Sequence, residues 1–93
     1  MNFNNSVKIS NSNLIELPDN LTIGGYLHIQ NNPIAKLPKK LTIKGSELLI
    51  YGTNIKELPN DLKFDGTIYV SEKDHKYFKS KYGNKYDFVA YSK

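Results

Sequence analysis

His28 and His75 are the only histidines in the chain, and there is no cysteine. Acid–base or metal chemistry built on them would need further ligands or a carboxylate at fixed spacing. Neither histidine belongs to a zinc-ligand spacing, and the two fall on different predicted elements. Glu57 and Asp61 come nearest to a carboxylate pair, but they lie on different sides of Pro59 and suit no glycoside-cleaving arrangement. No serine stands in a strand–turn–helix nucleophile elbow. The glycines recur singly, not as a phosphate-cradling G-x-x-x-x-G-K loop. The sequence therefore reads as non-enzymatic, with no catalytic residue, no metal and no cofactor expected.

What remains is the chemistry of contact, carried by lysine and tyrosine. All 13 basic residues are lysines, and the formal net charge is +4. Lysine neutralises phosphate non-specifically, whereas arginine, the usual bidentate reader of bases and phosphates, is absent. Lys73, Lys76, Lys79, Lys81, Lys85 and Lys93 crowd the last part of the chain, against Glu72, Asp74 and Asp87, and Tyr77, Tyr82, Tyr86 and Tyr91 lie among them. One alternative is a nucleic-acid surface in which Lys73, Lys76, Lys79, Lys81 and Lys85 hold phosphates and Tyr82 stacks on a base. The other is a solvated face in a chain rich in Asn, Lys, Ile and Tyr.

The elements that would position these side chains announce themselves by repetition. Leu17–Pro18, Leu37–Pro38 and Leu58–Pro59 lie 20 and then 21 residues apart. Leu14, Ile34 and Ile55 precede them, and Leu21/Ile23, Leu41/Ile43 and Leu62/Phe64 follow. Next come Gly25, Gly45 and Gly66, and then the alternating pairs Leu27/Ile29, Leu48/Ile50 and Ile68/Val70. Val7/Ile9 fits the same register one unit earlier, with its preceding half lost. The extra residue of the middle unit falls between Gly45 and Leu48, in a turn that tolerates it. Alternation of period two predicts short strands with one face buried. Stacked at this period they form a parallel sheet. The proline forbids a full helix in the return segment, and the glycine suits a sharp turn or a close backbone approach.

The phrase L-P-x-x-L-x-I-x-G-x-L-x-I resembles the short leucine-rich-like repeats of bacterial and phage proteins, from Val7 to Ser71. The resemblance implies a leucine-rich-repeat-like solenoid: a short parallel β-sheet, an irregular convex side, and a C-terminal α/β cap. It places Ser12, Asn32 and Thr53 in the column where an asparagine hydrogen-bonds the turning backbone. One domain is expected, divided into a partial unit at 1–13, repeats at 14–33, 34–54 and 55–71, and a cap at 72–93. Ser71 is the expected N-cap of a cap helix, His75, Phe78 and Tyr82 share its buried face, and Gly83 ends it. The alternating Tyr86, Phe88 and Ala90 predict a closing strand or extended segment.

The outward columns are varied where the buried ones are repetitive. Tyr26, His28, Gln30, Leu49, Tyr51 and Tyr69 are the candidate partner-binding residues, since tyrosines on a rigid sheet make effective contact anchors. By resemblance the function is a non-enzymatic protein-binding module, in its most concrete form a phage-encoded inhibitor of a host defence complex such as an anti-CRISPR. A host nucleoprotein complex is then the expected partner. The open first strand also allows a homodimer or a self-assembling structural protein. The absence of cysteine, of a leading signal-like segment and of a long apolar run favours the cytoplasm, the host's if phage-encoded, and excludes a membrane partner.

Overall fold

The computed structural model of the chain describes residues 2–91. It is a small α/β structure of two open parallel sheets and one helix. Strands β1 (Asn2–Phe3), β3 (Thr22–Ile23) and β5 (Thr42–Ile43) form the smaller sheet. Strands β2 (Val7–Lys8), β4 (Leu27–His28), β6 (Glu47–Leu49), β7 (Thr67–Ser71) and β8 (Asp87–Tyr91) form the larger one, in that order. Helix α1 (Glu72–Tyr82) connects β7 to β8. Every pairing is parallel, and Val7, Leu27, Leu48, Ile68 and Phe88 stand opposite one another in turn. Gly45 N–H donates to Gly25 O at 2.9 Å, whereas Leu27 pairs with Leu48, so the extra residue does fall between Gly45 and Leu48.

The sequence predicts an irregular side opposite the main sheet; the structure has a second sheet there instead. Pro18 and Pro38 stay outside the ladder, so their missing N–H groups interrupt nothing. Asn20 and Lys40 then adopt φ of 62° and 56°, which turns the chain back into an extended Thr-Ile pair. β-Branched residues suit that geometry, and each pair meets its copy one unit on. The ladder ends at a single bridge between Thr42 and Lys63. The first unit is also more complete than its sequence suggests. Asn2 and Phe3 pair with Thr22 and Ile23, so only the Leu-Pro half is missing.

The core lies between the sheets. Leu27, Ile29, Ile34, Leu41, Leu48 and Ile68 are fully buried, each worth about 1.5–3 kcal/mol against exposure. Val7, in the partial unit, and Leu14 and Leu17, in the repeat that follows it, are only partly buried and pack against this core. The turns after β2, β4 and β6 each use a left-handed residue, supplied by Asn11, Asn31 and Gly52 in turn. Asn32, 3% exposed, holds the next turn: its Oδ1 accepts from Ser12 and Leu14 N–H, and its Nδ2 donates to the Ile9, Ile29 and Gln30 carbonyls. In the following unit Thr53 donates its hydroxyl to Ile50 O and accepts from Ile55 N–H.

The glycine column serves approach, not turning. A Cβ at Gly45 would stand 2.3 Å from Gly25 C and 2.5 Å from Tyr26 N, and one at Gly66 would stand 2.2 Å from Ser46 O. Backbone meets backbone, so no rotamer change relieves the clash. Gly45→Ala is expected to lower stability by about 1–3 kcal/mol, read as a loss in thermal midpoint by circular dichroism. A midpoint within error of the parent would contradict this account of the column.

The cap closes the last unit. Phe78 packs on Phe88 at 5.5 Å between ring centroids and on Tyr82 at 6.3 Å. Ser71 occupies the N-cap position without capping; its hydroxyl instead accepts from Gly52 N–H at 2.9 Å. Gly83, at φ 58°, ends the helix and donates its N–H to Lys79 O. Glu72 and Asp74 in the first turn and Lys79 and Lys81 in the last suit the helix dipole.

Candidate functional site

Strand alternation puts Tyr26, His28, Leu49, Tyr51 and Tyr69 on the face of the larger sheet opposite the core. Parallel register sets His28, Leu49, Tyr69 and Val89 side by side across four strands. These side chains hold one another. The Tyr26 and His28 rings stack at 3.9 Å with 20° between planes, and His28 Nε2 lies 2.9 Å from Glu47 Oε1. Tyr51 and Tyr91 stack at 4.0 Å and 13°, meeting over Ser71, whose small side chain leaves them room. Thr67 donates its hydroxyl to Asp87 at 2.9 Å. Neighbouring contacts on both flanks limit the rotamer freedom these rings would lose on binding.

Gln30 corrects the sequence reading. It is expected to face a partner, but it is 9% exposed, and its Oε1 has no hydrogen-bond partner among the described residues. Its carbonyl accepts from Asn32 Nδ2, and its side chain acts on the Tyr51 hydroxyl. Burial raises the Tyr51 hydroxyl above its ordinary value, Tyr91 adds to the rise, and Gln30 opposes it.

That shift has a consequence at high pH. The folded chain keeps the Tyr51 proton where the unfolded chain releases it, so this contribution is fully present below the unfolded value of about 10 and is lost as pH rises through the folded one. Thermal midpoints measured from pH 9 to 11 are expected to fall less steeply in Tyr51→Phe than in the parent. Equal slopes would show that this hydroxyl plays no part.

Sequence reasoning missed the last column of the face. Val89, 38% exposed, and Tyr91, 40% exposed, extend the apolar surface past Tyr69 and Tyr51. The alternation of Tyr86, Phe88 and Ala90 with Asp87, Val89 and Tyr91 signals a strand. That the strand runs parallel beside β7 depends on how α1 packs.

The lysine-rich surface is less well assembled for stacking on bases. Tyr82 is drawn into the cap: its ring packs with Phe78, Tyr86 and Phe88, and its hydroxyl accepts from Leu58 N–H at 2.7 Å. This corrects its assignment as a base-stacking ring. Lys81 lies 3.8 Å from Glu57 and over the Tyr82 ring. Lys73, Lys76, Lys79 and Lys85 make no ion pair among the described residues, and Lys85 lies over the Tyr86 ring. His75 Nε2 lies 3.2 Å from Phe88 O, well apart from His28 on the sheet. Lys93 lies outside the described residues.

Among the described residues no three His, Cys, Asp or Glu side chains converge to hold a metal ion, and no helix is long and apolar enough to cross a membrane. No protein-family model, curated protein or solved structure matches this chain.

Proposed function

We propose that this chain is a non-enzymatic protein-binding module, a leucine-rich-repeat-like solenoid with a C-terminal cap, that docks a macromolecular partner on the outward face of its larger sheet. The observation that carries this reading is the packed aromatic surface from Tyr26 and His28 to Tyr51, Tyr69 and Tyr91. Aromatic side chains held rigid before contact give large buried area at low entropic loss. The resemblance to short phage repeats supports the most concrete form, an inhibitor that occludes a host defence complex, acting in the host cytoplasm.

The test is affinity capture from source-cell lysate, nuclease-treated, with Tyr51→Ala/Tyr69→Ala as the comparison. A nuclease-resistant protein retained by the parent and lost by the double variant is the expected result. Recovery only of nuclease-sensitive material, equal in both, would overturn the reading in favour of nucleic-acid binding through Lys73, Lys76, Lys79 and Lys85. Self-association that persists in the double variant would favour an assembly through the β1 and β2 edges.

A further inference from the structure

Strand β8 ends the larger sheet, and its outer edge is unpaired among the described residues. The two ends of this sheet differ. The first, β2, is two residues long and carries Lys8, a common guard against edge pairing. The last is five residues long, Asp87–Tyr91, with no lysine and no proline in it. In this ladder the core-facing residues turn their amides toward the next strand: Ile29 N–H donates to Leu49 O, and Ile50 N–H to Tyr69 O. By the same alternation Phe88 and Ala90 turn theirs to the open side. One group there is already engaged, since His75 Nε2 lies 3.2 Å from Phe88 O.

The charge around this edge selects its occupant. Lys73, Lys76 and Lys79 of α1 and Lys85 just before β8 make no ion pair among the described residues. Of the nearby acids, Lys56 holds Asp74 at 2.9 Å and Asp87 accepts from Thr67, which leaves Glu72 as the acid of α1 without an ion pair among the described residues, against four such lysines. A second copy brought edge to edge would set two such lysine-rich caps side by side.

We propose that β8 receives an extended acidic segment of a protein partner by strand addition, with the segment's backbone on Phe88 and Ala90 and its carboxylates near the α1 lysines. This goes beyond the sheet-face reading and stands if that reading fails, because it uses backbone groups and lysines rather than the outward tyrosines.

The experiment uses the whole chain, labelled with nitrogen-15, and two capped heptapeptides, Glu-Val-Thr-Val-Thr-Val-Glu and its counterpart with lysine at both ends. Amide shifts are followed at low and high salt. The acidic peptide is expected to shift the Phe88 and Ala90 amides and to bind at least about tenfold more tightly than the basic one at low salt. Ala90→Pro removes an edge donor without touching the β7 ladder, and is expected to weaken binding about tenfold with the fold intact. Lys76→Glu/Lys79→Glu is expected to invert the peptide preference, and keeps the test decisive should the proline variant unfold. Tyr51→Ala/Tyr69→Ala is expected to leave the Ala90 shift in place. Equal binding of the two peptides, shifts confined to the outward face, or a dimer that covers β8 in the free chain would each overturn the proposal.

Discussion

Phe78→Ala is expected to lower the unfolding free energy by about 3–5 kcal/mol, the largest effect of any single truncation in the cap. Phe78 is 1% exposed and touches the rings of Tyr77, Tyr82 and Phe88. Tyr82 and His75 of α1 also reach Phe88, but of the three only Phe78 is fully buried, in one core cluster with Ile68 and Val70. A domain of this size has about 5–10 kcal/mol in all, so the variant is expected to sit near the edge of folding. The damage should also reach the outward face. With α1 loosened, β8 loses its support, and the Tyr51–Tyr91 stack goes with it. Urea unfolding followed by circular dichroism measures the first effect, and near-ultraviolet tyrosine signal the second. A loss below about 1 kcal/mol would show that α1 does not hold the last strand in place.

Asn32→Ala carries the second large expectation, a loss of about 3 kcal/mol. The side chain is buried and satisfies two amides and three carbonyls from two successive units. Truncation leaves those groups without partners in a place water reaches poorly, and that desolvation outweighs the bonds themselves. Thr53 offers an internal comparison. It stands one unit on, is only partly buried, and bonds within its own turn. Thr53→Ala is expected to cost about 1 kcal/mol. If the two substitutions proved equal in chemical denaturation, Asn32 would not be tying successive units together.

The Asn32 turn is legible only through the resemblance to leucine-rich repeats, because its column reads Ser12, Asn32 and Thr53. The buried pairs Leu27/Ile29 and Ile68/Val70 are legible from the repeat itself, since repetition within one chain separates a structural position from a variable one. The second sheet was not. Its strands are two residues long, too short to show a period, and they form only because a copy of the same pair lies beside them. Asn2–Phe3 matched no repeat residue for residue, yet a two-residue backbone pairing makes little demand on side chains.

The outward face divides along the same line. Tyr26, His28, Leu49, Tyr51 and Tyr69 followed from alternation alone. Gln30 did not, because a polar residue at the end of a column can sink beside a large neighbour. Helical spacing sets Tyr82 on one face with His75 and Phe78, and its lysine neighbours make it a base-stacking ring in the alternative; Phe78 and Phe88 draw its ring inward and Leu58 claims its hydroxyl, which favours the first. Val89 and Tyr91 joined the face through a βαβ connection, which pairs residues by packing of α1 and not by the repeat.

The most direct test of the central claim is site-specific photo-crosslinking in source cells, with the reactive residue placed singly at Leu49, at Tyr69 and at Lys36. Leu49 and Tyr69 lie on the outward face, while Lys36 sits on the return segment between the two sheets. The account predicts one protein product, resistant to nuclease, from Leu49 and Tyr69 and none from Lys36. The same product from all three positions, or a product from Lys36 alone, would contradict it.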